Sequence, residues 1–208
     1  MSKRHILLIS GPSGGGKTTF LRQLREGTLA PEILARLPAD SGNRPVLEAN
    51  DVLKGKPVME SLPAGTDGVA LHYDIVLMHR YRIERYEEDP SLGLLDGAES
   101  LDVVFVRPDT ALVKRNFMAR QNAHRKKKSN VSLLWSRFVR LPMRCLLSPI
   151  TGKPTQSTED VYQDDNWLAG CYRRWETFIG SLVERQPNAR LIIVEPAGEG
   201  ETFRLHTA

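Results

Sequence analysis

Residues 8 to 19 read LISGPSGGGKTT, an apolar run that opens into glycines and closes on a lysine and two threonines. From Gly11 to Thr18 the order Gly-Pro-Ser-Gly-Gly-Gly-Lys-Thr satisfies the spacing G-x-x-x-x-G-K-[ST]. Each residue type has a task in gripping phosphate oxygens. Glycines reach backbone angles closed to other residues, so successive N–H groups can turn inward on an anion. A helix beginning near Gly16 adds the positive end of its dipole at the same spot. The Lys17 ammonium is expected to reach the β- and γ-phosphates and the Thr18 hydroxyl to ligate Mg²⁺. The expected nucleotide-binding set is therefore Gly11, Ser13, Gly14, Gly15, Gly16, Lys17, Thr18 and Thr19, with ATP and Mg²⁺ as ligands.

A phosphate cradle of this kind needs an acid on a second strand, to hold magnesium or to orient the nucleophile. Asp74 ends the apolar stretch Gly68-Val-Ala-Leu-His-Tyr-Asp74, which would deliver its carboxylate to the carboxyl edge of a sheet, where ligands of open α/β folds sit. Thr18 and Asp74 are thus the expected metal ligands, the alternative for Asp74 being a helix N-cap or turn residue before Ile75. His72 and Tyr73 beside it read as packing residues. Glu48, Asn50 and Asp51 follow a weaker strand, and any of them can bind a substrate hydroxyl, act as a base or occupy a solvated turn. Further on, Lys114, Arg115, Arg120 and the run His-Arg-Lys-Lys-Lys from His124 lead to Arg137, Arg140 and Arg144, interleaved with Trp135 and Phe138. Phosphoryl transfer spreads negative charge over the moving group, and an arginine carried by a closing lid can neutralise it. Arg120 and Arg125 are the expected lid arginines, joining Lys17 and Asp74 as catalytic residues. The same alternation of basic and aromatic residues also fits a nucleic-acid surface.

The elements that must hold these groups follow from periodicity. His5 to Ser10, Pro45 to Asn50, Gly68 to Asp74, Leu101 to Pro108 and Arg190 to Pro196 read as strands, the last two ended by proline, and Glu201 to His206 as an added edge strand. Helical spacing covers Thr18 to Arg25, a short helix opened by Pro31, a helix capped by Asp109 or Thr110, and a long one from about Tyr162 to Glu184. In the long helix Leu168, Tyr172, Trp175, Ile179 and Leu182 step by four and three, one stripe for packing on a sheet. Strand and helix alternate, so an α/β fold with a parallel sheet is expected. Asp51 to Asp67 reads as a loop. The basic stretch 120–160 is too long for a plain connection and is expected to be a lid or small helical insertion within a single domain spanning 1–208.

The segment GPSGGGKTT resembles the phosphate-binding loop of guanylate kinases and, more widely, of the P-loop kinases of nucleotides and small molecules. That resemblance is close only over about Ile6 to Leu24. It implies a three-layer P-loop NTPase fold with a mostly parallel five-stranded sheet, a helical lid, and transfer of the γ-phosphoryl group of ATP to a bound acceptor. The Ser/Thr- and Arg-rich segment with which guanylate kinases grip their acceptor has no counterpart between Pro31 and Asp51, so the acceptor is left unnamed. A partner-coupled or regulatory P-loop ATPase is the alternative, although the N-K-x-D and L-S-G-G-Q signatures are missing, and a nucleic-acid-associated kinase is another.

Composition bounds the rest. The chain has 208 residues, 40% hydrophobic and 26% charged, with a net charge of +4, which suits a phosphate-bearing partner without requiring nucleic acid. No apolar run reaches the length of a membrane span. The two cysteines, Cys145 and Cys171, form no metal or redox pattern, as expected of reduced thiols in a cytoplasmic protein.

Overall fold

The structure, a computed structural model, describes residues 4–56, 62, 65–76, 89–96, 98–127, 165–197 and 202–206, with only the backbone at 120, 121, 123–127 and 165. Six strands form one sheet: β1 (His5–Gly11), β2 (Val46–Glu48), β3 (Gly68–Asp74), β4 (Ser100–Val106), β5 (Ala189–Ala197) and β6 (Thr202–Leu205). Their order is β2-β3-β1-β4-β5-β6. The first five run parallel and β6 returns antiparallel along β5. β1 is nearly continuous in apolar residues because both its faces are covered, and Leu7, Leu8 and Ile9 have no exposed surface.

Alternation along the strands sends side chains into two separate cores. On one face Leu7, Ile9, Ala70, Val104 and Val194 meet Phe20 and Leu24 of α1 (Lys17–Glu26), Ile33 of α2 (Pro31–Leu34) and Phe203 of β6. On the other, Ile6, Leu8, Leu71, Tyr73 and Phe105 meet Ala49 of α3 (Ala49–Leu53), Val113 and Phe117 of α4 (Thr110–Lys127), and α5 (Asp165–Arg185). The expected stripe of α5 is buried along its whole length, from Leu168 through Trp175 to Leu182. The result is a three-layer α/β arrangement.

Several expectations change in detail. The sheet has six strands where the resemblance implies five, the sixth being the edge strand expected at Glu201 to His206, which folds back along β5 as Thr202–Leu205. Pro196 does not end β5. It lies within it, opposite Phe203, at a point where β4 no longer runs alongside and the missing N–H costs no bond to that neighbour. The second strand stops at Glu48, and Asn50 and Asp51 fall on α3 instead of a turn. Asp109 does cap α4, its Oδ1 accepting the Ala111 N–H at 2.6 Å. The expected lid at 120–160 begins inside α4, where Arg120 and Arg125 belong to a regular helix; its remainder from 128 lies outside the described residues, as do Arg137, Arg140, Arg144 and Cys145. Among the described residues no helix is long and apolar enough to cross a membrane.

Candidate active site

β1 sits between β3 and β4: the chain runs from β1 out to β2 on one side, returns to β3 and then crosses to β4 on the other, which opens a crevice at the carboxyl end of β1. The glycine loop lies there. Gly11 closes β1 at a point where a side chain cannot fit, because a Cβ would stand 2.5 Å from the Val106 carbonyl oxygen of β4. Gly16 is the N-cap of α1, with φ 97° and ψ 1°, a left-handed conformation that glycine adopts without penalty. It offers no side chain to cap the helix, and the first intrahelical bond is Phe20 N–H to Gly16 O at 2.9 Å. The helix thus starts without a side-chain cap, an arrangement that suits an anion.

Lys17 is buried, and its Nζ donates to the carbonyls of Gly11 and Pro12, each at 2.8 Å. The ammonium is thus held inside the loop instead of trailing into solvent. Thr18 stands exposed beside it, while Ser13 and Thr19 are half-buried. The loop is braced from three sides. Asn116 of α4 donates to the Gly14 carbonyl at 2.9 Å. Phe203 of β6 comes within 3.4 Å of where a Gly16 Cβ would be. Trp175 of α5 donates its indole N–H to Ser10 Oγ at 3.1 Å, and Ser10 Oγ donates to the Val104 carbonyl at 3.2 Å.

Asp74 is in register with Gly11, and the Ile75 N–H donates to Gly11 O at 3.1 Å, so the end of β3 is fastened to the start of the loop. Its Oδ1 accepts the Val76 N–H at 3.1 Å, a capping bond that fixes the carboxylate at this edge. The exposed Thr18 hydroxyl and the Asp74 carboxylate are both hard oxygen donors. They fit Mg²⁺, which keeps water and phosphate oxygens for most of its shell. Among the described residues no cluster of three or more His, Cys, Asp or Glu forms a metal site of its own.

Tyr73 is core, stacked on Trp175 with ring centroids 4.8 Å apart, its hydroxyl donating to buried Asp89 at 2.7 Å. Burial, with the Asp89 carboxylate beside it, holds the phenol far above the ordinary tyrosine range. His72 points to the other face, and its Nδ1 meets Glu48 Oε2 at 2.7 Å. An ionised carboxylate only accepts, so Nδ1 carries the proton. These two residues and Val46 floor a groove of about 420 Å³ whose wall is α1, with Thr18, Leu21, Arg22 and Arg25 turned toward it. Asn50 and Asp51 are not among its lining residues, and Asp51 instead pairs with Lys56 at 2.8 Å. Cys171 is half-buried, with burial pushing its thiol up to about 11 against the opposing pull of Arg174.

Sequence reasoning missed Asn116, Phe203 and the Trp175–Ser10 tie, all of which come from segments far along the chain. It also missed Arg22 and Arg25, although their spacing from Thr18 already places them on one helical face.

Comparison with family models gives no match, and neither does comparison with curated proteins. Among solved structures the chain is similar to an unliganded sugar kinase from a Janibacter species, at 10% identity over 92% of this chain and 85% of that one, with a TM-score of 0.34. It is also similar to shikimate kinase from Bacteroides thetaiotaomicron, at 14% identity over 85% of this chain and 98% of that one, with a TM-score of 0.26. Likeness at this level carries no weight for function, which rests on the residues of the site.

Proposed function

We propose that this chain is an ATP-dependent, Mg²⁺-dependent P-loop kinase, transferring the γ-phosphoryl group to a small-molecule or nucleotide acceptor. The observation that carries this reading is the held position of Lys17, whose ammonium is fixed by the loop carbonyls at the uncapped N-terminus of α1. Loop N–H groups from Gly11 to Thr19 bind the phosphates, and Lys17 swings from the carbonyls to the transferred group. Thr18 and Asp74 would hold Mg²⁺, which would supply neutralising charge at the phosphate oxygens. In this reading the chain is one domain, and its basic segment 120–160 closes over the nucleotide with Arg120 and Arg125 shielding charge and excluding water. Placement of Arg120 and Arg125 on α4, the helix whose Asn116 braces the loop, supports that role.

The test is an ADP-release screen against hydroxylated and phosphorylated small molecules, with Lys17→Ala as control. Acceptor-dependent ADP release that the variant loses supports the kinase. Steady ADP release that no acceptor stimulates identifies a partner-coupled ATPase instead.

A further inference from the structure

We infer that the groove between α1 and the β2–β3 edge is the acceptor site, and that it takes a hydroxylated small molecule bearing a carboxylate or phosphate. This rests on the kinase reading for its role, and on the groove alone for its chemistry. Thr18, Arg22 and Arg25 stand at positions i, i+4 and i+7 of one helix, a single stripe facing the groove. The two guanidiniums therefore lie about 6 Å and about 10 Å along the axis from Thr18. Both are exposed, and neither has an ion-pair or hydrogen-bond partner among the described residues. Two unengaged arginines on one wall are an anion-recognition pair, since the guanidinium fork matches carboxylate and phosphate oxygens.

The floor supplies the complementary end. Val46 is level with Ala70, whereas Glu48 is level with His72, so Glu48 and His72 lie toward the carboxyl edge, the Thr18 end of the groove. Glu48 is half-exposed and uses Oε2 for His72, which leaves Oε1 to accept from a ligand hydroxyl. Among the described residues the buried Nε2 of His72 has no hydrogen-bond partner. The Glu48 carboxylate makes that end of the groove polar, and Leu21 and Val46 between the two ends give an apolar waist. Glu26, at the last turn of α1, closes the far end with a negative charge, so the anionic group stops at Arg22 and Arg25. A volume of about 420 Å³ suits a sugar-sized ligand. On transfer, the ligand's hydroxyl proton passes to Glu48 Oε1 and its oxygen forms the new bond to phosphorus. The bond from phosphorus to the bridging oxygen breaks, with its electron pair leaving on ADP.

The experiment is calorimetric titration of the full chain with ribose, ribose 5-phosphate and gluconate. Mg²⁺·AMP-PNP is present at saturation, so the glycine loop cannot itself capture the anion. At least one of the two anionic probes is expected to bind about tenfold or more tightly than ribose. Arg22→Ala/Arg25→Ala should abolish that preference, and Glu48→Gln should weaken all three probes alike. Both arginines are exposed, so the double variant keeps the fold, which a thermal melt verifies. Equal binding of neutral and anionic probes, a preference that survives the double variant, or no binding of any probe overturns the assignment. If AMP-PNP itself fails to bind, the kinase reading falls, and the same titration in Lys17→Ala without nucleotide still decides the groove.

Discussion

Replacing Lys17 by alanine removes a buried ammonium that donates 2.8 Å hydrogen bonds to the carbonyls of Gly11 and Pro12. Neither carbonyl is orphaned by the loss. Gly11 O keeps the Ile75 N–H at 3.1 Å, and Pro12 O keeps the Gly15 N–H at 3.0 Å. The lost charge-assisted bonds are offset by relief from burying a charge, so the net change in stability should be about 1 kcal/mol. For a chain of this size that is a shift in Tm of roughly 2–4 °C. The chemical consequence is far larger. A unit charge about 4 Å from the transferred group, at an effective dielectric of about 20, contributes about 4 kcal/mol. That corresponds to about a thousandfold in rate. The assay pairs coupled ADP release at saturating Mg²⁺·ATP with a thermal melt of the same preparation. Turnover within tenfold of the parent, or a melt that collapses, would refute the reasoning: the first removes the ammonium from the chemistry, and the second makes it a structural prop.

Other outcomes follow from the same contacts. Gly11→Ala forces a Cβ to 2.5 Å from the Val106 carbonyl, and should cost about 2–3 kcal/mol in chemical denaturation, whereas Gly27→Ala, with a φ of 66° but open space around it, should cost about 1 kcal/mol. Trp175→Phe removes the donor to Ser10 Oγ and part of the stack on Tyr73; a loss of about 1–2 kcal/mol is expected, with weaker binding of a fluorescent nucleotide analogue as the loop loosens. Because the folded-state pKa of Tyr73 is raised, its unfolded form ionises first, so stability holds below the ordinary value of 10.0 and falls as pH rises beyond it. Tyr73→Phe should flatten that alkaline decline in urea titrations read by fluorescence. Asp40 behaves in the opposite sense. Its hydrogen bond from Arg44 holds the carboxyl below the ordinary 3.8, so the pair's contribution is complete above that value and is lost as pH falls through the lowered pKa. With Asp40 exposed, Asp40→Asn should cost only about 1 kcal/mol at neutral pH, measured by the same titration.

What could be read without coordinates was what neighbouring residues decide among themselves. The glycine loop, the buried run of β1, the acid ending β3 and the stripe of α5 are local patterns with local causes, and each stands where its spacing placed it. Contacts between distant segments were not legible. The Asn116 amide reaches Gly14 across 102 positions, and the Trp175 indole reaches Ser10 across 165. Pro196 looked like a stop because the strand beside it could not be foreseen to end first. The groove was hidden for a related reason. Arg22 and Arg25 carry no signal of their own on an amphipathic helix, and only the fold brings Glu48 and His72 opposite them.

The bracing of the glycine loop by Trp175 and Phe203 sets the order in which this protein can mature on the ribosome. The glycine loop is translated well ahead of both aromatic residues, and domains generally fold as their segments emerge. Yet Ser10 gains its indole partner only after Trp175 is made, and Gly16 meets its aromatic neighbour only after Phe203. Between the synthesis of the loop and that of Trp175 the nascent chain therefore carries the loop without either aromatic support. A chain interrupted ahead of Trp175 would keep the whole recognisable motif and lack the supports that shape it.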